Sequence, residues 1–361
     1  MAKIIAVPFS LFLSFLSIFG IYLPKAEVEL SKDSWNTNYS YVFVHGLMGW
    51  GSYDAQYKLM PYWGMFGGDL MKYLDRQGFD CYAASVAGSA SAWDRACELY
   101  AQLTGTVVDY GKAHSEACGH ERYGKDFTGK ALIPEWDNEH KINLLGHSFG
   151  GATMRLFASL MAAGDEAERA ATPENEISGL FTGNKADWIY SLTSLSAPHN
   201  GTTAYEAPAE DKDTAAYDMY IDNAMALNER IVTDENTYYF SFACTATKKA
   251  EDGTYKADKK YMEGMFTSSA DQMGAYTGVT QGGFVFDESW LENDGLVNTI
   301  SAKAPSSAPS KDYEEGNVTP GVWNIMPTYY GDHMSLQGGM TKTNVQIREL
   351  YAQHFNMINL L

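Results

Sequence analysis

The chain has 361 residues, 45% of them hydrophobic and 20% charged, and carries a formal net charge of -19. That size and balance can bury one large core, expected as a single domain with insertions. The acidity argues against nucleic acid as a partner, because no basic stripe is present to neutralise phosphates, and it repels anionic bilayer surfaces.

Lys3 is followed by an uncharged apolar stretch from Ile4 to Leu23, which predicts export. At about twenty residues it is long for a cleaved signal and sufficient to span a bilayer, and no clear small-x-small cleavage site precedes Glu27. Residues 1–26 are expected to be a signal peptide that is removed to release a secreted protein, with an uncleaved membrane anchor as the alternative. The globular domain is expected over 36–361.

Nearly all-apolar runs follow at Tyr41 to Val44, Ile142 to Leu145, Trp188 to Leu192 and Tyr238 to Phe242. They predict strands covered on both faces, hence a mostly parallel sheet beneath helices. After the second run, Met154, Phe157, Ala158 and Met161 recur at helical spacing. The segment from Gln346 to Leu361, with Ile347, Leu350, Tyr351 and His354 on one stripe, predicts a closing helix. This alternation favours a doubly wound α/β fold. Two polar stretches, about 93–131 and 201–218, break it and predict insertions. Residues 301–310 predict a Ser/Ala/Pro loop. Cys81, Cys97, Cys118 and Cys244 have no spacing that demands pairing.

Gly146-His147-Ser148-Phe149-Gly150 matches Gly-x-Ser-x-Gly between a strand and a helix, the setting of a nucleophile elbow in the α/β-hydrolase fold. A serine needs a histidine to take its proton and an acid to orient that histidine. In the order Ser, Asp, His, the base is expected at His333, in a loop after Tyr329-Tyr330; His199 lies too early and His354 on the last helix. The acid is expected at Asp294, in the Asn293-Asp294-Gly295 turn, rather than at Asp287, which resembles an exposed helix start. Two amides would stabilise the tetrahedral intermediate, those of Phe149 and of Leu47 in the His45-Gly46-Leu47 loop. His45 is read as structural, and Met48 and Trp50 as an apolar wall for an acyl chain. Asp94, His114, His120 and Asp213 suit a closed tetrahedral zinc site, with Cys118 as a competing ligand and two surface histidines as the simpler alternative.

Segments 45–51, 93–98, 109–111, 114–120, 198–203, 213–218 and 290–295, in that order, resemble the zinc-containing bacterial lipases of the thermoalkalophilic and staphylococcal branches. The resemblance runs from about Tyr41 to the C-terminus. It implies a triad of Ser148, Asp294 and His333, an oxyanion hole at Leu47 and Phe149, and structural zinc on Asp94, His114, His120 and Asp213. The implied activity is triacylglycerol hydrolysis, with carboxylesterase or polyester hydrolase as the alternative and a non-catalytic surface-binding protein as a remote one. Partners would be lipid or other esters, with transient contact at a lipid interface. Three departures stand out. Gly146 occupies a position where the thermoalkalophilic branch typically has Ala. The family's calcium-binding acids after the catalytic histidine are replaced by Met334, Ser335 and Leu336, then Gly338-Gly339-Met340, which argues against calcium. Only ten positions separate Thr203 from Asp213, where the family carries a long helical lid, so the lid is expected to be missing or vestigial.

Overall fold

The computed structural model describes residues 28–338 and 347–361. The export segment read over 1–26, and Gly339 and Met340 of the calcium comparison, lie outside the described residues. Seven strands form one sheet: β1 Ser40–Val44, β2 Cys81–Ala84, β3 Ile142–His147, β4 Ile189–Leu195, β5 Tyr238–Phe242, β6 Ser310–Asp312 and β7 Trp323–Ile325. Their spatial order is β6-β7-β5-β4-β3-β1-β2, and every pairing is parallel. The four apolar runs are β1, β3, β4 and β5, the middle of this sheet. β6 and β7 are only three residues long and carry polar side chains, β2, Cys-Tyr-Ala-Ala, lacks the large branched side chains that make a run stand out, and β6 and β2 are the two edges.

Five helices bear on the site: α1 Leu70–Gln77, α2 Ala92–Thr104, α3 Lys112–Cys118, α4 Phe149–Ala163 and α5 Ile347–Leu360. Side chains alternate across β1 as a pleated strand requires. Tyr41 and Phe43 join the core layer of Leu70, Leu74, Tyr351 and Phe355 from α1 and α5. Val42 and Val44 join the opposite layer, with Ala96 and Leu99 of α2 and Met154 and Phe157 of α4. Phe157 is fully buried, a contribution of about 2–3 kcal/mol from its side chain. The result is an α/β-hydrolase sandwich of helix, sheet and helix.

Two readings need adjusting. The polar stretch expected from Trp93 begins with α2, which flanks the sheet and buries eight of its thirteen residues; what projects is the hairpin Val107–Asp109 with Tyr123–Asp126 and the intervening α3. Polar motif residues at the start of α2 obscured its apolar face. The loop expected over 301–310 starts inside a short helix, Thr299–Lys303, and ends in β6. Residues 204–213, where the lid is expected to be missing or vestigial, contain neither helix nor strand. All four cysteines are unpaired.

Candidate active site and metal centre

β3 and α4 meet at Ser148, whose backbone is held at φ 56, ψ -130, an unfavourable region for a non-glycine residue. Its amide donates to the Leu195 carbonyl at 2.8 Å. The turn closes only because its neighbours lack side chains: a Cβ on Gly150 would meet the Val44 carbonyl oxygen at 2.1 Å, and one on Gly146 would meet Gly150 backbone at 2.5 Å. The serine is thereby lifted above the carboxyl end of the sheet, where open α/β sheets bind ligands.

His333 reaches the serine from the loop after the short strand Tyr329–Tyr330, which pairs with Cys244–Thr245 outside the main sheet. Its Nε2 is 2.8 Å from Ser148 Oγ and its Nδ1 is 2.9 Å from Asp294 Oδ2. Asp294 is fully buried and its other oxygen accepts from the amides of Leu296 and Val297 at 3.0 and 2.8 Å. The His333 amide also donates to the Asp294 carbonyl at 2.9 Å, so main chain and side chain lock the two residues together. The Asp294 turn is braced from behind, where Thr202 Oγ1 donates to the Leu296 carbonyl and Asn298 Oδ1 accepts from the Thr203 amide. Asp287 is exposed and caps the one-turn helix Glu288–Trp290.

Among the described residues, the amides of Leu47 and Phe149 have no acceptor, and both adjoin the nucleophile. Gly46 makes the approach feasible, since a Cβ there would lie 2.7 Å from Ser148 Cβ. His45 shapes the turn: Nδ1 donates to the Gly46 carbonyl at 2.9 Å and Nε2 accepts from the Val86 amide at 3.2 Å. Burial lowers its pKa to about 3. Met48 is 72% exposed, at the rim of this turn.

Asp94 at the start of α2, His114 on α3, His120 just beyond it and Asp213 in the second polar stretch also converge. His114 Nε2 is 3.2 Å from Asp94 Oδ1 and 3.3 Å from Asp213 Oδ1, and His120 Nε2 is 3.2 Å from Asp213 Oδ2 and 3.9 Å from Asp94 Oδ1. Ligands at zinc's usual 2.0–2.1 Å in a tetrahedron stand roughly 3.3 Å apart. Asp94 Oδ1, His114 Nε2, His120 Nε2 and Asp213 Oδ1 are buried and make no hydrogen bond, the pattern left when an ion is the missing partner. His120 Nδ1 donates to the Glu121 carbonyl at 2.9 Å, leaving Nε2 as the ligating nitrogen. Burial opposes charge on His114, yet Asp213 and Asp94 raise its pKa to about 9. Cys118 lies within 4.8 Å of ligand atoms of His114, His120 and Asp213, but it is exposed and its Sγ is 3.9 Å from Nδ1, the other edge of the His114 ring. The residues present fit zinc, and the buried, unbonded Asp94 Oδ1 is better placed than the exposed Cys118 Sγ to be the fourth ligand.

The family model described as "Lipase-like, C-terminal domain" matches residues 37–211 and 207–360. The chain belongs to this lipase-like family. It is similar to a curated lipase of Staphylococcus hyicus, with 31% identity over 82% of this chain and 53% of that protein. Lipase 1 of Staphylococcus aureus (strain MRSA252) is 29% identical over 85% of this chain and 52% of its own length. The chain thus spans about half the length of the curated relatives it matches. Among solved structures, EstA from Clostridium botulinum superposes with a TM-score of 0.84 at 30% identity, covering 95% of this chain and 93% of that one. The Staphylococcus hyicus lipase crystal structure gives 0.80 at 28% identity, covering 92% and 98%.

In this lipase-like chain three buried side chains hold the site without having been singled out from the sequence: Tyr62, Arg95 and His147. Arg95 Nη2 donates to the His45 carbonyl, and its guanidinium lies 5.0 Å from the centroid of the Phe149 ring. The sequence signal for His147 was present, inside Gly146-His147-Ser148, but as the variable position of a motif it carried no chemistry of its own. Tyr62 had no signal, being one aromatic residue among many.

Proposed function

We propose that this chain is a serine carboxylic ester hydrolase, most specifically a triacylglycerol lipase. The observation that carries the reading is the hydrogen-bonded run from Ser148 Oγ through His333 to a fully buried Asp294. Ser148 Oγ attacks the ester carbonyl carbon while His333 Nε2 takes its proton, and Asp294 holds the resulting imidazolium in place. The amides of Leu47 and Phe149 stabilise the oxyanion. His333 then protonates the departing alcohol, the acyl group stays on Ser148, and a water deprotonated by His333 releases the acid.

Zinc on Asp94, His114, His120 and Asp213, when bound, supplies a structural cross-link with four protein ligands rather than an activated water. Secretion, expected from the N-terminal segment, suits an ester or lipid substrate met outside the cell. The helix-free 204–213 segment favours a second reading within the same chemistry, a carboxylesterase or polyester hydrolase with an open entrance.

The test is hydrolysis of a p-nitrophenyl ester by purified protein. Ser148→Ala should lower the rate by about 10⁴-fold or more with the fold intact by circular dichroism; a rate near wild type would remove the assignment.

A further inference from the structure

The residue before the nucleophile is buried, and both of its ring nitrogens are engaged. His147 Nε2 lies 2.8 Å from the backbone carbonyl of His333. A carbonyl only accepts, so Nε2 bears the proton and Nδ1 presents a lone pair. Nδ1 is 2.6 Å from Tyr62 Oη, so the phenol donates to it. The phenolic oxygen in turn accepts from the Gly46 amide at 3.2 Å. One direction of donation therefore runs unbroken: Gly46 N–H to Tyr62, Tyr62 O–H to His147, His147 N–H to the His333 carbonyl. Its two ends are the turn that presents the Leu47 amide and the residue whose ring faces Ser148.

We propose that Tyr62 and His147 form a positioning relay that fixes the oxyanion turn and His333 relative to each other across the nucleophile. Neither side chain reaches the reacting atoms, and the inference rests on the hydrolase reading above. The relay is dry and closed: Tyr62 and His147 are 4% and 1% exposed, and Trp63 packs edge-on to both rings at 5.2 and 6.2 Å between centroids. Burial keeps the His147 imidazole neutral by lowering its pKa to about 3, which preserves the lone pair that Tyr62 needs. A catalytic group held loosely by about an ångström loses much of its rate. A hydrogen bond between the elements that carry it is how such looseness is removed.

The relay makes demands that packing alone does not. Gln at 147 offers an N–H for the His333 carbonyl and an oxygen for the Tyr62 hydroxyl, whereas Leu offers bulk only. Wild type, Tyr62→Phe, His147→Leu, His147→Gln and the Tyr62→Phe/His147→Leu pair are to be compared as zinc-loaded full chains on p-nitrophenyl butyrate, with fluorophosphonate labelling of Ser148 in parallel. Tyr62→Phe and His147→Leu should each lower kcat about tenfold or more while KM moves less than about twofold. His147→Gln should recover most of the loss, and the double variant should be little worse than His147→Leu, because one broken link disables the whole chain. Losses that multiply in the double variant, a Gln variant no better than Leu, or single variants within about twofold of wild type would each overturn the relay. Should His147→Leu fail to fold, Tyr62→Phe and His147→Gln decide the matter: loss in the first with activity kept in the second supports it, and any other pairing overturns it. Wild-type protein with neither hydrolysis nor labelling would instead overturn the hydrolase reading, and the relay with it.

Discussion

Asp94 and Arg95 are neighbours at the start of α2 yet serve opposite sites. Asp94 turns its carboxylate to His114 and His120. Arg95 turns its guanidinium to the His45 carbonyl and the Phe149 ring. A single turn of helix thus joins the Asp94, His114, His120 and Asp213 cluster to the His45-Gly46-Leu47 turn. Arg95 is fully buried, and its Nε and Nη1 have no hydrogen-bond partner, an arrangement that costs stability; burial lowers its pKa to about 10, against the pull of Glu98.

Removal of zinc should therefore reach the hydrolytic site through Arg95. Protein purified without chelator is expected to carry about one zinc per chain by elemental analysis, and chelation should lower Tm by roughly 5 °C or more. It should also lower kcat. Arg95→Met is expected to lower kcat about tenfold with the zinc content and Tm nearly unchanged, since it also removes an incompletely paired buried charge. Chelation of the Arg95→Met protein should then lower Tm as in wild type but kcat little further. Full additivity of the two effects on kcat would mean that the helix does not couple the sites.

The loop from Thr203 to Asp213 sets a second expectation. A lipase whose entrance is covered by helices gains activity when an oil surface opens them, and no helix stands in this stretch. The rate on tributyrin should follow ordinary saturation through the solubility limit. A jump there of about fivefold or more would point to a cover formed elsewhere in the chain, such as the 258–290 segment that carries the exposed Met265, Val279 and Val285.

Much of the candidate site was legible because the chemistry proposed for it forces local sequence. Ser148 needs glycines on both sides, and Asp294 needs the Asn293-Asp294-Gly295 turn, in which Gly295 has φ 104. The middle strands were legible because burial on both faces requires unbroken apolar runs, whereas edge strand β6, Ser-Lys-Asp, has no such requirement. What stayed hidden was contact between distant segments. Tyr62 and His147 are 85 positions apart, and nothing local to either indicates that the other completes its hydrogen bonding. The candidate metal ligands fall between these extremes: four residues of suitable type with loose spacing, drawn together by the antiparallel bridge Ala90 to Thr214 that no local pattern announces.

The buried histidines predict how stability depends on pH. His45, His147 and His354 are each lowered to about 3, chiefly by burial, and His199 lies well below its ordinary value for the same reason. An unfolded chain protonates its histidines near pH 6.5. Between that pH and about 3 the unfolded state therefore binds protons that the folded state refuses, and stability falls as pH falls. Each such histidine contributes about 1.4 kcal/mol per pH unit within that window. Asp218 works in the opposite sense over part of it, because burial raises its carboxyl to about 6 in the folded state, so the fold gains a proton there first. The expected balance is a net uptake of two or more protons on unfolding near pH 5, read from urea unfolding free energies at pH 7, 6 and 5. His354 isolates the cause. It lies on α5, bonded at 2.9 Å to Thr193 and not to Ser148, Asp294 or His333, and His354→Gln keeps that partner while removing the titration. The slope for His354→Gln should be shallower by about one proton; an identical slope in the two proteins would show that buried histidine is not what limits this fold in acid.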